Sequence, residues 1–342
     1  MDFKFVLGVD QSKKWFDCCL MTAQLVILLE ERIDNTPSAI FDFISKLVAL
    51  GHFEDITQVL LAIEATGIYT EHLTNSWLLK GGELAMLHAS KISEHLAGSS
   101  GFEEKNDRLD ARRVSEYAIR FSDKLKKWKP KTVTLQLLQG LQRQRERLIK
   151  AMNVLEVPIK EKQEFDTVDI SQTLAAYQSD SVKALQEDLN KLEKNIQKLI
   201  DTDPYLNQLY QLVISVEGIG PVTAREILIA TEGFTKFKPD QAKAFAKYVG
   251  VIPNGKRSGT SVKKKDKIGK RKHKKLKSNL TLGANSLIRS KLELGQYYRR
   301  KISEGKHHLC VINAMRNKMI LRVFAVVRNQ INYQKDLNIS IQ

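Results

Sequence analysis

Asp107 and Asp110 stand three residues apart in EKNDRLDARRVSEYA, residues 104–118. On a helix that spacing puts both carboxylates on one face, about one turn apart. Two acids so placed repel each other. A hard divalent cation relieves them, because such ions take carboxylate oxygens. The same pattern is also common on an ordinary solvated helix face, so its meaning depends on the rest of the chain. Two more acids close apolar runs: Asp10 ends FKFVLGVD (3–10) and Glu64 ends VLLAIE (59–64). A different chemistry is offered by Ser258-Gly259-Thr260-Ser261. These hydroxyls lie at the start of a stretch, Lys256 to Lys277, with 12 Lys or Arg and one acid, Asp266. Serine is a poor nucleophile unless a base, a metal or positive charge assists it. Basic neighbours would stabilise the charge of a pentacoordinate phosphorus. A phosphate-binding loop built from Lys256, Arg257, Lys263, Lys264, Lys265, Lys270, Arg271 and Lys272 is the more modest reading.

The acids need elements that bring them together. FKFVLGVD, WFDCCLMT (15–22) and QLVILLEERI (24–33) read as three strands. TPSAIFDFISKLVALG (36–51) has helical spacing at Ile40, Phe43, Ile44, Leu47 and Val48, with Thr36 to cap it and Pro37 in its first turn. VLLAIE is a fourth strand, a helix follows over about 70–80, and ELAMLH (83–88) is a fifth strand. Three strands, helix, strand, helix, strand, helix is the order of a ribonuclease H fold. There the first and fourth strands are neighbours, so Asp10 and Glu64 meet at one sheet edge. A helix carrying Asp107 and Asp110 has only to cross that edge. Four converging carboxylates are not tolerable without cations. Two Mg²⁺ ions roughly 4 Å apart would make a two-metal phosphoryl-transfer site.

From about 133 to 200 the character changes to helix. Val182, Leu185, Leu189, Leu192, Ile196 and Leu199 form a heptad seam. Leu137, Leu141, Leu148 and Leu155 suggest an earlier helix that Gln144 interrupts, with Pro158 and the polar stretch 160–172 separating the two. An intramolecular hairpin and a coiled coil pairing protomers fit equally well. Next, LVISVEGIGPVTAREILIA (212–230) places Gly218-Ile219-Gly220 before a helix, as in a helix-hairpin-helix element whose N–H groups hold a DNA phosphate. A tight interhelical turn is the plainer alternative. Apolar segments, Phe245 to Ile252 and Leu276 to Ile288, flank the basic stretch, which argues for a loop in a folded domain. Residues 307–332 read as a packing helix.

Composition agrees. With 342 residues, 42% hydrophobic and a net charge of +16, the chain can bury a sizeable core and calls for a polyanionic partner, by default nucleic acid. MDFKFVLGVDQ is not a signal peptide, and no apolar run approaches a transmembrane helix. Cys18, Cys19 and Cys310 give neither a disulfide frame nor a zinc site. The chain reads as cytoplasmic and reduced.

Together these motifs resemble the DEDD-type insertion-sequence transposases of the insertion sequence 110 family, whose relatives include the Piv site-specific DNA invertases. The N-terminal likeness is in VLGVDQSKKWFDCCL, LLAIEATGIYTEHL and KNDRLDARRVSEYA. The C-terminal likeness is in SVEGIGPVTAREILIA, KYVGVIPNGKRSGTSV and INAMRNKMI. The resemblance implies an α/β plus α architecture. Residues 1–128 would form a RuvC-like domain with Mg²⁺ at Asp10, Glu64, Asp107 and Asp110. Residues 129–205 would form a helical coiled-coil region. Residues 206–342 would form a mainly helical transposase domain whose serine nucleophile falls on Ser258, with Ser261 as the fallback. It further implies a covalent phosphoserine–DNA link, a structured guide RNA encoded by the element, and a homo-oligomer, dimer or tetramer, in which one protomer's acids meet another's serine. Two readings compete: a RuvC-type Holliday-junction nuclease using water, and a non-catalytic nucleic-acid-binding protein whose acids merely cap strands.

Overall fold

The computed structural model describes residues 3–64, 67–88, 90–92, 107–165, 170–252 and 272–334. The chain divides into two compact units, Met1–Pro130 and Lys131–Gln342.

The first unit is built on five strands: β1 (Phe5–Gln11), β2 (Trp15–Thr22), β3 (Ile27–Asp34), β4 (Val59–Glu64) and β5 (Glu83–Leu87). They lie in the order β3-β2-β1-β4-β5. Strand β2 runs antiparallel to both β1 and β3, while β4 and β5 run parallel to β1. That is the neighbour relation between first and fourth strands that the element order requires. Helix α1 (Pro37–Ala49) starts at the expected cap, where Thr36 Oγ1 accepts the Ala39 N–H at 3.3 Å. Helix α2 is Glu71–Leu79 and helix α3 is Asp107–Arg120.

Both faces of the sheet are covered. Leu7 and Val9 of β1 pack with Ile40, Phe43 and Leu47 of α1 and Trp77 of α2. Val6 points the other way and joins Leu60 and Ala62 of β4 with Val114, Tyr117 and Ala118 of α3. Strands buried on both sides carry unbroken apolar runs, which is why VLLAI shows no polar alternation.

The second unit is helical: α4 (Val133–Gln163), α5 (Ile170–Thr202), α6 (Pro204–Ile214), α7 (Pro221–Thr231), α8 (Ala242–Val249), α9 (Lys274–Leu287), α10 (Glu293–Ser303) and α11 (His308–Asn329). Within the chain α4 and α5 pack as an antiparallel hairpin. Gln178 Nε2 donates to the Leu155 carbonyl at 2.8 Å towards the tip, and Arg145 pairs with Glu193 nearer the base. The heptad seam faces inward, most deeply at Leu192 and Ile196. Helix α4 runs through Gln144 and Pro158 to Gln163 and α5 begins at Ile170, so the separation of the two helices falls within the polar stretch 160–172 and not at the proline. Pro158 lies on the exposed side, and the carbonyl it leaves without an N–H is that of Val154, also exposed, where water can satisfy it.

At the base of the hairpin Leu135, Leu138, Leu192, Ile196 and Ile200 enter the same core as α6, α7 and α11. Helix α7 is buried from Thr223 to Thr231, and α11 runs through the core on Met315, Met319, Val323 and Phe324.

Candidate catalytic centre and nucleic-acid interface

Asp10 and Glu64 reach one another by register. Val9 of β1 pairs with Ile63 of parallel β4, so the two acids follow side by side at the strand ends. Alternation along a strand then fixes their face. Val6, Gly8 and Asp10 share one side of β1, and Leu60, Ala62 and Glu64 share the same side of β4. That side is the one α3 covers.

Helix α3 lies directly on the β1 backbone at Gly8. A Cβ at Gly8 would stand 2.2 Å from Ser115 Oγ and 2.6 Å from the Ala111 carbonyl. The Gly8 N–H donates to Ser115 Oγ at 2.8 Å, and the Ser115 hydroxyl donates to the Cys19 carbonyl at 2.7 Å. One buried hydroxyl therefore joins α3 to β1 and β2. Since Val114, Tyr117 and Ala118 pack towards Val6, the helix runs antiparallel to β1. Its N-terminal end, with Asp110 just before Ala111, lies at the strand ends that carry Asp10 and Glu64.

Electrostatics report the same proximity. The Glu64 carboxyl is held above its ordinary value of 4.5, first by burial and then by the negative charge of Asp110. Arg113 Nη1 donates to Asp110 at 3.1 Å from one turn along the helix. Another acid, Asp17, sits directly across from Asp10 in the β1–β2 register. It is buried, and Arg32 grips it with two hydrogen bonds, of 3.1 and 2.7 Å. Asp17 is thus a structural acid. Asp107 opens α3 as its first residue; its side chain lies outside the described set. Among the described residues no three acidic, His or Cys side chains close on a single metal-ligating point. Asp10 and Glu64 end neighbouring strands and the charge of Asp110 acts on Glu64, and carboxylate oxygens of this kind are the donors a hard divalent cation takes.

Gly8, Ala111 and Ser115 were not among the residues that sequence reasoning singled out. The available signal was the pair of small residues at i and i+4 on the Asp110 helix, which lets a helix approach a backbone closely.

In the second unit Gly218 adopts φ +82°, and a Cβ there would meet Leu287 and Met319. Across from it, a Cβ on Gly283 would stand 2.1 Å from the Gly218 carbonyl, so this turn is seated on α9 glycine to glycine. Gly220 faces outward as the N-terminal cap of α7. Lys272 is exposed just before α9. Ser258, Ser261, Lys256, Arg257, Lys263, Lys264, Lys265, Lys270 and Arg271 lie outside the described residues. The chain on either side of them is pinned. The His273 N–H donates to the Tyr248 carbonyl at 3.1 Å, Lys277 Nζ to the Gly250 carbonyl at 2.6 Å, and Asn313 Nδ2 to the Val251 carbonyl at 2.7 Å.

Known proteins carry the same two parts. Residues 7–161 match the sequence model of the DEDD-type IS110 transposases. Residues 210–299 match the model described as "Transposase IS116/IS110/IS902 family". The chain belongs to the IS110 family of transposases. The transposase is also 26% identical over 336 residues to the "Pilin gene-inverting protein" of Moraxella lacunata, covering 98% of this chain and 99% of that protein. The protein of the same name from Moraxella bovis gives the same figures. Among solved structures, Thermus thermophilus RuvC in complex with Holliday junction substrate aligns with 36% of the transposase and 99% of its own chain, at 12% identity and a TM-score of 0.28. No helix among the described residues is long and apolar enough to cross a membrane.

Proposed function

We propose that this transposase excises and inserts its element by cutting and rejoining DNA strands, with Asp10, Glu64, Asp107 and Asp110 as the acidic centre and Ser258 as the nucleophile. The observation that supports the reading is that Asp10 and Glu64 end neighbouring parallel strands on the face α3 covers, with Asp110 of α3 near enough for its charge to act on Glu64. An acid cluster that capped strands alone would not need a helix bolted across it.

Mg²⁺, held by these carboxylates, would supply Lewis-acid neutralisation of phosphate charge. The serine Oγ forms a bond to phosphorus as the P–O bond to one sugar oxygen breaks. The serine proton goes to solvent or to a basic group, and the released sugar oxygen takes one up. The product is a phosphoserine ester on DNA. A sugar hydroxyl of the incoming strand then displaces the serine, which restores the enzyme and leaves a new phosphodiester. Lys and Arg of the 256–277 stretch balance the charge of the transition state. An element-encoded structured RNA guides the choice of DNA. Protomers associate through the α4–α5 hairpin, whose tip exposes Val154, Phe165 and Tyr177.

The test is a trapping assay with protein, candidate flanking RNA, labelled donor DNA and Mg²⁺, followed by denaturation. An adduct that Asp10→Ala and Ser258→Ala abolish and Ser261→Ala retains supports the reading. Loss with Ser261→Ala alone moves the nucleophile by three residues. Cleavage without an adduct in any lane favours the hydrolytic nuclease.

A further inference from the structure

Five charged side chains are buried among the described residues: Asp17, Arg225, Glu226, Arg316 and Arg322. Four of them face an opposite charge. Asp17 is held by Arg32, Arg225 by Glu193, and Glu226 by Lys275. Arg322 pairs with both Glu217 and Glu293. Arg316, on the same helix as Arg322, is 8% exposed and forms no ion pair with a carboxylate among the described residues. Among the described residues its hydrogen bond is a 3.4 Å contact from Nε to the Ile312 carbonyl of its own helix.

A buried cation without a counter-charge is expensive, and folded proteins rarely keep one without cause. The neighbourhood increases that cost. Lys277 of α9 lies close enough for the positive charges of Arg316 and Lys272 to lower its pKa, after burial as the larger cause. Burial alone holds the Arg316 guanidinium below its ordinary value. Lys277 and Asn313, the latter one helical turn before Arg316, hold the adjacent Gly250 and Val251 carbonyls, which brings the Lys277 amine to the Arg316 end of this segment. The described residues gather positive charge here without supplying an anion.

We infer that Arg316, with Lys277 and Lys272 beside it, is a preformed seat for one backbone phosphate of bound DNA. Guanidinium is the group suited to this, since its fixed fork matches two phosphate oxygens and its charge is permanent. The inference rests on the transposase's action on DNA and does not require the serine mechanism.

The experiment uses the full chain without added metal, so that no strand chemistry intervenes. Arg316→Met, Arg316→Lys and, as a control, Arg322→Met are compared by thermal melting and by binding of a labelled duplex DNA across a salt series. Removing a phosphate contact weakens binding roughly tenfold at moderate salt and reduces the log–log salt slope by about 1. The expected result is that Arg316→Met shows both changes while its melting temperature stays level or rises, because the variant discards an uncompensated charge. Arg316→Lys keeps most of the salt slope. Arg322→Met melts lower, because it strands Glu217. A melting loss in Arg316→Met as large as the control's, with DNA binding unchanged, overturns the proposal and makes Arg316 a packing residue. A parallel series with single-stranded RNA separates the sources of phosphate, and a change confined to RNA overturns the assignment to DNA. A missing covalent adduct in the trapping assay counts against Ser258 and leaves this measurement unaffected.

Discussion

The Gly8 N–H and the Ser115 hydroxyl, 107 residues apart in sequence, meet at 2.8 Å and join the strand of Asp10 to the helix of Asp110. The contact is possible because Gly8 has no side chain. Gly8→Ala would place a Cβ 2.4 Å from the Ser115 backbone nitrogen, so the helix must move. Overpacking of this kind costs about 1–3 kcal/mol. Ser115→Ala leaves the buried Gly8 N–H without its acceptor, at a similar cost of about 1–3 kcal/mol. Chemical denaturation should show both losses. The metal-dependent activity of the folded fraction should fall further in Gly8→Ala, because there the helix itself is displaced.

Asp10→Asn, Glu64→Gln and Asp110→Asn should each lower strand cleavage by more than about 100-fold, the upper end of what losing mere outer-shell support for a metal costs. Far-UV circular dichroism should remain unchanged. Asp17→Asn should behave differently, with its main effect on stability, because Asp17 is committed to Arg32. Cleavage by folded Asp10→Asn protein at the wild-type rate would exclude the acidic centre.

The raised pKa of Glu64 gives a pH dependence of known sign. A carboxyl whose folded value lies above its unfolded value adds stability as pH falls through the folded value, and loses that contribution as pH rises. Metal binding requires the ionised form and so runs the other way. The Mg²⁺ concentration for half-maximal adduct formation should rise as pH drops towards the ordinary carboxylate range. The rise should begin above it. Glu64→Gln, which resembles the protonated state, should melt no lower than wild type without metal and should lose the Mg²⁺-induced rise in melting temperature.

The base of the hairpin depends on Glu193, which accepts a 2.7 Å hydrogen bond from buried Arg225 and also pairs with Arg145. Burial alone would raise its pKa, yet the bonds from Arg225 and Arg145 outweigh that and hold it below the ordinary value. Glu193→Ala leaves Arg225 buried without a partner, and removing one member of such a pair costs about 3–5 kcal/mol. Urea denaturation of the variant should show a loss on that scale. In wild type, this contribution is present above the unfolded pKa and disappears as pH falls through the depressed folded value.

Tyr177 is 87% exposed and Phe165 83% exposed at the hairpin tip, where an isolated protein gains nothing from them. If the tip joins protomers, Tyr177→Glu combined with Phe165→Glu should lower the sedimentation coefficient towards that of the monomer. The melting temperature of the second unit's core should stay the same.

Much of this architecture was legible in the chain. WFDCCLMT and VLLAIE are strands over their full expected lengths, and Thr36 caps α1 as its residue type dictates. Local rules suffice there, because burial on both faces writes an apolar run and a cap needs only its own first turn. Pro158 misled for the opposite reason. Proline breaks a helix that must stand alone, but α4 leans on α5 along much of its length, and that packing outweighs one missing hydrogen bond.

The sequence alone determined which residue types could do the chemistry, the order of the elements, and, through strand order, that Asp10 and Glu64 are neighbours. Only the tertiary structure decided that Asp17, the aspartate across from Asp10, is locked in an ion pair with Arg32. It alone paired Gly8 with Ser115, set Gly218 against Gly283, and gave Arg322 the carboxylates that Arg316 lacks among the described residues. The physical reason is range. Secondary structure follows from neighbours within a few residues, whereas the state of a charge depends on whatever the fold brings within a few ångströms of it, from anywhere in the chain.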